Sequence, residues 1–403
     1  MLSAIKEDGT WITLPEKLTG NMLTAMKEST GYFCPCCKTE MIIKAGMIKV
    51  PHFAHKNNSS CHASSEPESA YHLMGKRTLY EWFISHNFHA KLEAYIPQIK
   101  KRTDILVTVD GKDYAIEFQC SFISEASFKE RTRAYQSMGI TPIWIMGAKR
   151  LKRKGKNEFS FSAFQWLFVN GTFLHPFLWV YCPETHQLAA LKNITPFSKR
   201  TVFAELTTAP LHLLSPNHMS PRHCMDFPFL LAWRQKRKSW CLHRVKTAKR
   251  SDSFFYELYT HRLSPAMIPI EIGIPIQGMI LFETPAIEWQ AWLYMDVFQT
   301  KKLGEKIVMN EVLRHFKKRV MKGDIELRPF PVLKEKDVEA PVKRYIQFIK
   351  KMGYIKEGKE GTFTVTRQFT IPTTSDECMT LESSFYQKSK LLIEKAYIHY
   401  NEI

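Results

Sequence analysis

The sequence predicts a mixed α/β (α+β) protein, in which a metal-binding segment precedes an α/β core and a mostly helical C-terminal region. Three patterns support this: clustered Cys and His residues before position 64, alternating apolar segments between 65 and 148, and helical periodicity after 300. The chain has 403 residues, 44% of them hydrophobic and 24% charged, so it is globular and long enough for two or three domains. We predict four regions: 1–64, 65–148, a basic and aromatic-rich 149–300, and 301–403.

The N-terminal region is predicted to hold a structural zinc site. Residues 1–31 indicate a strand pair and a short helix, and "FCPCCKTEMIIKAGMIKVPHFAHKNNSSCH" follows. Cys34 and Cys37 have the spacing of a zinc knuckle, which leaves Cys36 as a spectator. Two of the three residues His52, His55 and Cys61 should complete a closed tetrahedral site in this zinc ribbon. We favour His55 and Cys61. Four protein ligands leave no open position, so this zinc would be structural.

The next region predicts the element order helix, three strands, helix, strand. Apolar residues recur at helical spacing from Glu66 to His86. "AKLEAYIPQI", "RTDILVTV" and "DYAIEFQCSF" are typical of strands. "SEASFKERTRAYQSMG" predicts a helix with Ser124 as N-cap and Gly139 as its stop, and "TPIWIMG" predicts the last strand.

The hairpin in this region brings two acids together. If Asp110-Gly111 is its two-residue turn, the residue numbers of each pair of opposite positions add up to 221. Asp104 then faces Glu117. Because side chains alternate along a strand, Asp104, Glu117 and Gln119 share one face. Facing like charges are destabilising unless compensated, and Mg²⁺ or Mn²⁺ with oxygen ligands would compensate them. Nearby basic residues could pair with the acids instead: Lys100, Lys101 and Arg102.

The preceding helix adds a stripe of Glu68, His72 and Lys76 at four-residue intervals. If this helix packs on the sheet, Glu68 could supply a third carboxylate and Lys76 a cation. The alternatives are that His72 is a core histidine and that Lys76 is solvated.

The charge distribution predicts a polyanionic partner. The formal net charge is +18, which favours nucleic acid or an acidic membrane surface. Residues 148–157, "AKRLKRKGKN", suggest a linker or a phosphate contact, and 234–250 a basic helix that is either solvated or lies along DNA. Two helices and a β tip between 301 and 368 suggest a winged helix, which would bind either DNA or protein.

The chain shows no signal of membrane insertion. Its N-terminus lacks the basic start and apolar centre of a signal peptide, and no apolar run reaches the roughly 18 residues that span a bilayer. Pro269, Glu271 and Pro275 interrupt the most apolar stretch, 267–282, which we expect to form buried strands. We therefore expect a cytoplasmic protein whose nine cysteines are thiols or metal ligands.

Taken together, "CPCC…HFAHKNNSSC", "ESAYHLMGKRTLYEWF" and "RTDILVTVDGKDYAIEFQCSFIS" resemble the competence CoiA-like family, most distinctively over the first 150 residues. The resemblance implies a zinc ribbon before a PD-(D/E)xK-type, restriction-endonuclease-like αβββαβ core. It also implies a role in DNA processing and recombination during natural transformation, alongside RecA. By this resemblance Asp104 would be the central metal acid, Glu117 the acid of the E-x-K element and Glu68 the first-helix acid. Gln119 stands where the broader superfamily has lysine.

Two main hypotheses follow for function. The first is a Mg²⁺-dependent DNA endonuclease, in which Gln119 orients water and Lys76, or less favourably Lys129, replaces the lysine. The second is a non-catalytic DNA-binding recombination accessory, associated with RecA, on a retired nuclease fold. A third reading is a restriction-like defence nuclease, because the same core serves that role.

Overall fold

The computed structural model describes residues 1–15, 18–28, 31–46, 50–56, 61, 68–216, 228–247, 252–333 and 336–398. Within these residues, no helix combines the length and the apolar character needed to cross a membrane.

The N-terminal region is an antiparallel five-stranded sheet with its own small core. Its strands are β1 (Ser3–Lys6), β2 (Trp11–Thr13), β3 (Tyr32–Phe33), β4 (Glu40–Lys44) and β5 (His52–His55), with helix α1 (Gly20–Glu28) between β2 and β3. The sheet order is β2-β1-β3-β4-β5. Buried Ala4, Tyr32 and Phe53 pack together with Cys34 and Cys61. The predicted strand pair and short helix are present.

The central region keeps the predicted order of helix, strands, helix and strand, except that 90–99, which was expected to be one strand, contains two short strands and a 3₁₀ turn. The elements are α2 (Ala70–Ser85), β6 (His89–Leu92), a small hairpin of β7 (Tyr95–Ile96) and β8 (Lys101–Arg102), β9 (Ile105–Val109), β10 (Lys112–Gln119), α3 (Glu125–Ser137) and β11 (Thr141–Gly147). The Ser124 hydroxyl accepts a hydrogen bond from the Ser127 amide and caps α3. Gly139, with φ +72°, follows the end of α3, so the predicted start and stop are present.

The β9–β10 hairpin has the predicted register. Asp110 and Gly111 both have positive φ, as a two-residue primed turn requires. Val109 pairs with Lys112, and the pairing continues to Ile105 opposite Ile116. One face of the hairpin packs under α2, because Ile105 and Ile116 share a buried cluster with Leu73. Ala115, on the opposite face, packs with Tyr135 of α3.

The sheet continues past residue 148 without a break. It adds β12 (Lys152–Arg153), β13 (Glu158–Ser160), β14 (Asn170–Gly171), β15 (Pro176–Cys182), β16 (Gln187–Pro196) and β17 (Thr201–Pro210), with α4 (Ala163–Leu167) after β13. The order is β12-β13-β17-β16-β15-β11-β10-β9-β6, and β14 pairs with β15. Strand β11 runs parallel to both β10 and β15. Residues 148–157 contain a 3₁₀ turn and β12 rather than an unstructured linker, because Arg150 bonds the Cys120 carbonyl and β12 pairs with β13.

The C-terminal half is mostly helical and shares one core with the sheet. Its elements are α5 (Leu230–Thr247), α6 (Ser253–Thr260), α7 (Ala286–Leu293) with a following π-helical turn (Tyr294–Phe298), β18 (Lys306–Val308), α8 (Met309–Lys322), α9 (Ala340–Lys351), β19 (Ile355–Glu357), β20 (Thr362–Val365) and α10 (Ser375–Ile398). Strands β18, β20 and β19 form a small sheet in that order. A single buried cluster extends from Trp144 in β11 to Ile393 in α10.

The expectation of strands in 267–282 was wrong. The segment is buried, but it forms turns and two short 3₁₀ helices, Pro265–Met267 and Met279–Leu281. Pro269 and Pro275 lack the amide donors that a sheet ladder needs, and Gly273 and Gly278 both have φ +86°.

Candidate functional site

Asp104 lies just before β9, at the position where the hairpin register brings it opposite Glu117 of β10. Both residues are buried, with 8% and 2% of their surfaces exposed. The Asp104 carboxylate turns toward α2: its Oδ2 accepts hydrogen bonds from His72 Nε2 at 3.2 Å and from the Phe118 amide at 2.9 Å. Its Oδ1 lies 3.8 Å from Lys76 Nζ, outside hydrogen-bond distance.

Lys76 is the centre of a buried ionic cluster. Its Nζ donates to Glu68 Oε1 at 2.6 Å and to Glu93 Oε1 at 2.5 Å. Arg102 Nη2 also binds Glu68, at 3.3 Å. Burial disfavours the ammonium form, but Glu68, Glu93 and Asp104 together raise the pKa of Lys76. Lys76 is therefore a permanent cation on the α2 side of Asp104, and the reading of a solvated lysine was wrong.

Glu117 faces α3 instead. Its Oε2 accepts a hydrogen bond from Arg131 Nη2 at 2.7 Å, and its Oε1 accepts one from the Tyr135 hydroxyl. Arg131 and Tyr135 are four residues apart and so lie on the same face of α3, the face that packs on β10. The side-chain amide of Gln119 donates to the Ser121 carbonyl at 3.1 Å.

The pKa values of the two acids are shifted in opposite directions. Burial would raise the pKa of Asp104, but His72 and Lys76 hold it well below its usual range. Burial raises the pKa of Glu117 to about 7; Arg131 opposes this shift and Asp104 adds to it. The influence of Asp104 on Glu117 shows that the two carboxylates are electrostatically coupled, so a proton or a cation near Glu117 relieves the repulsion between them.

The three predicted carboxylates do not converge on one point. Among the described residues, Glu68, Asp104 and Glu117 do not form a group whose ligand atoms all lie within 4.8 Å of one another. Glu68 binds Lys76 and Arg102, Asp104 binds His72 of α2, and Glu117 binds Arg131 of α3. Lys129, the less favoured donor, forms an ion pair with Glu125 on the same helix.

Three residues of this site were missed by the sequence analysis: Glu93, Arg131 and Tyr135. Glu93 is fully buried and has φ +55°, and its Oε2 accepts hydrogen bonds from the amides of Leu2 and Ser3 at 2.7 and 2.9 Å. A lone acid between strands gives no sequence signal for these distant contacts. The four-residue spacing of Arg131 and Tyr135 was a usable signal, because a helix that crosses between parallel strands must pack one face on the sheet.

A second cluster contains Cys34, Cys37, His55 and Cys61. Their ligand atoms all lie within 4.8 Å of one another, and in the described part of the chain this is the one such group of three or more. These are the four residues that the sequence analysis favoured. The set of three thiols and one imidazole suits a closed tetrahedral zinc site. Hydrogen bonds to the Cys34 sulfur lower its pKa to about 4, and the bond from Cys36 has the largest effect. They therefore favour the thiolate form that a metal requires.

His52 and Cys36 lie outside this cluster. The Nδ1 of His52 is 2.9 Å from the Val50 carbonyl oxygen, so its ring is oriented by the backbone. Cys36 was expected to be a spectator, and it is absent from the group of four.

Comparisons with known proteins match all three parts of the chain to one family. The family models are those for the N-terminal domain of competence protein CoiA at residues 15–64, its nuclease-like domain at 68–223 and its C-terminal domain at 230–379. The competence protein CoiA of Bacillus subtilis (strain 168) is 31% identical over 348 residues, which cover 83% of this chain and 90% of that protein. No solved structure matches the chain.

Proposed function

The chain belongs to the competence protein CoiA family, and from that premise we propose that its nuclease-like domain hydrolyses phosphodiester bonds of transforming DNA with a divalent metal. The observation that carries this proposal is that Asp104 and Glu117 are both buried at the end of the β9–β10 hairpin, near enough for Asp104 to raise the pKa of Glu117, with the cation Lys76 beside Asp104. The family match supports the competence role and the nuclease-like domain. Cleavage of DNA and its use in recombination, alongside RecA, are our proposal.

In this proposal Asp104 and Glu117 would hold Mg²⁺ or Mn²⁺, which supplies activation of water and neutralisation of the scissile phosphate. Carboxylate oxygens are the ligands that these hard cations prefer. Asp104 Oδ1 is outside hydrogen-bond distance of Lys76 and can serve as a ligand. Glu117 must give up Arg131, or share its carboxylate with it, before it can bind a cation.

Lys76 would take the role of the lysine that Gln119 replaces. Its ammonium group is fixed by Glu68 and Glu93, so Glu68 acts on Lys76 as a positioning residue. A fixed positive charge beside the site stabilises negative charge on the transferring phosphate. Gln119 bonds the Ser121 backbone and side chain, and it would contribute by shaping the strand end.

A cleavage assay tests the proposal. Purified protein is incubated with duplex, single-stranded and branched DNA in Mg²⁺ or Mn²⁺, beside the variants Glu117→Gln and Asp104→Asn. We expect wild-type cleavage and a loss of roughly 100-fold or more in both variants. Glu288→Gln is the matched control, because Glu288 is also a buried acid whose pKa burial raises to about 7, but it lies on α7 and pairs with Arg244.

A second candidate function is non-catalytic DNA binding on a retired nuclease fold. The observation in its favour is that protein groups already bind every carboxylate of the cluster: Glu68, Glu93, Asp104 and Glu117. This candidate predicts that DNA stays intact with every metal, while Asp104→Asn protein still binds DNA and supports transformation in cells. Loss of transformation in a stable, DNA-binding Asp104→Asn variant would count against it.

A further inference from the structure

The outward face of α8 carries a basic groove in the C-terminal region. The groove has a volume of about 820 Å³, and its lining includes Asn310, Arg314, Lys317, Lys318, Lys322 and Glu339. Lys317 is paired with Glu339 at 2.7 Å. In the part of the chain that the structure describes, the other three basic side chains have no acidic partner within 4.0 Å.

The three unpaired cations form one stripe. Arg314, Lys318 and Lys322 follow one another at four-residue intervals and therefore lie along one side of α8. At 1.5 Å per residue the stripe extends over about 12 Å. Duplex DNA carries one phosphate per roughly 1.7 Å of axis, so a stripe of this length spans several phosphates.

In the other two basic segments, several of the positive charges are engaged within the protein. On α5, Arg234 and Arg237 pair with Glu382, Lys236 with Glu158, and Arg244 with Asp252 and Glu288. In 148–157, Lys149 pairs with Glu184, and Arg150 and Arg153 donate to backbone carbonyls. The positive charge of α8 is therefore available to a partner, whereas much of the charge on these segments is not.

Helix α9 exposes less of its surface than α8, because every residue from Ala340 to Lys350 is buried or half-buried. In a helix-turn-helix pair the second helix enters the major groove, and α9 follows α8 in that position. However, Val342, Tyr345, Ile346 and Ile349 of α9 are buried in the shared core, and the ring of Tyr345 packs 5.5 Å from that of Trp289. The first helix of the pair presents the accessible cations.

The segment between α8 and α9 lies beside the nuclease-like domain. The ring of Phe330 packs against Trp166 at 6.2 Å, and Arg328 lies 3.5 Å from the centre of the same Trp166 ring. Burial lowers the pKa of Lys336, and the positive charge of nearby Lys129 lowers it further. Trp166 belongs to α4, so the C-terminal region contacts the nuclease-like domain at α4, and Lys336 lies within electrostatic range of Lys129 on α3.

We propose that the exposed stripe of α8 binds the phosphate backbone of DNA and holds it beside the nuclease-like domain. The inference rests on the proposed function in that the ligand is DNA, but it does not require cleavage. Because the stripe contacts phosphates, binding is independent of base sequence and weakens with salt.

The test compares two triple variants that each remove three positive charges. The first is Arg314→Gln, Lys318→Gln and Lys322→Gln on α8. The control is Lys238→Gln, Lys246→Gln and Lys388→Gln, which are exposed on α5 and α10. Binding of a fluorescent duplex of about 30 base pairs is measured by anisotropy across a salt series without added divalent metal, and thermal unfolding confirms that both variants fold.

We expect the affinity of the α8 variant for DNA to fall at least about tenfold. The slope of log K against log salt should become less steep by roughly 2 to 3, while both quantities change little in the control. Equal weakening in both variants would show an effect of net charge alone and overturn the inference, as would an unchanged α8 variant. An α8 variant that binds DNA normally but abolishes transformation would also overturn it and indicate an acidic protein partner. Wild-type protein that binds through α8 but never cleaves DNA would refute the proposed hydrolysis and leave this inference standing.

Discussion

Lys76 is fully buried, and the acids around it keep its side chain in the charged form. Its ammonium group bonds Glu68 and Glu93, and it balances part of the charge of Asp104. Burial would raise the pKa of Glu93, but the pull of Lys76 keeps it low. Lys76 and Glu93 therefore stay charged inside the protein because each lies beside the other, and Glu68 and Arg102 add to the effect.

Removing Lys76 alone is expected to be strongly destabilising. Lys76→Met leaves Glu93 buried without its main counter-charge, which we expect to cost about 3–5 kcal/mol. Glu93→Gln in the same chain should recover part of this loss, because a neutral amide needs no counter-charge. Urea unfolding of the single and double variants measures both effects. A loss below about 1 kcal/mol in Lys76→Met would contradict the role of this ion pair.

Glu117 gives the metal-free protein a specific pH dependence. Its pKa of about 7 in the folded state lies above the ordinary 4.5, so the folded chain keeps a proton that the unfolded chain releases. This contribution to stability is complete below pH 4.5 and is lost as the pH rises through 7. We expect the difference in melting temperature between wild type and Glu117→Gln to change over this window. A difference that is constant from pH 5 to 8 would contradict the raised pKa.

The sequence could reveal residues whose spacing is local, but not those that distant segments bring in. Asp104 and Glu117 were found because an Asp-Gly turn sets the hairpin register within a few residues. Glu93 was missed because its carboxylate is satisfied by amides about ninety positions earlier in the chain. The ionic surroundings of a buried acid depend on tertiary packing, which a local pattern does not encode.

At the level of elements, the placement of α2 on β10 depends on Gly75. A Cβ at this position would lie 2.0 Å from Cε1 of Phe118, a side chain that is itself buried. This close approach brings His72 and Lys76 of α2 to Asp104 at the end of the hairpin. The glycine therefore positions the helix that carries the cation of the site.

Gly75→Ala is expected to destabilise the protein by about 1–3 kcal/mol, although alanine is the better helix former. The double variant that also carries Phe118→Leu should lose less stability than the two single variants lose together, because the smaller side chain makes room for the new methyl group. Chemical unfolding of the three variants gives this coupling. Gly20→Ala on α1 is the control, because nothing lies within 4 Å of a Cβ there. If the stability losses of the two single variants simply add up in the double variant, the contact at Gly75 does not determine how α2 packs on β10.

The elements of the core were predicted better than those of 267–282. Alternation, caps and the Asp-Gly turn are local signals, and they gave the helices and main strands of 70–147 in the right order, although not the small hairpin of β7 and β8. The stretch 267–282 also alternates, with isoleucine at every second position from 268 to 276, but it contains two prolines, and it is buried by the helices around it rather than by sheet pairing. Burial alone did not distinguish a strand from a buried turn.

At the scale of the whole molecule, the cysteine cluster and the acidic site are joined by a short run of contacts. Cys34 follows β3, which pairs with β1. The amides of Leu2 and Ser3, at the start of β1, bind Glu93, whose own amide donates to the Asp104 carbonyl at 2.7 Å. The N-terminal sheet has only a small core, so loss of a structural metal is expected to loosen this connection.

Metal removal should therefore increase hydrogen exchange in 1–61 and in 89–104, but not in β15–β17, which belong to the continuous sheet. Cys37→Ser should reproduce the effect and lower the zinc content, because Cys37 is one of the four clustered residues. Cys36→Ser is the matched control one position away, and it should keep its zinc and its protection. Hydrogen exchange followed by mass spectrometry, with zinc measured on the same samples, distinguishes the variants. If 89–104 stays protected in Cys37→Ser while 1–61 exchanges, the N-terminal sheet folds independently and the metal has no influence on Asp104.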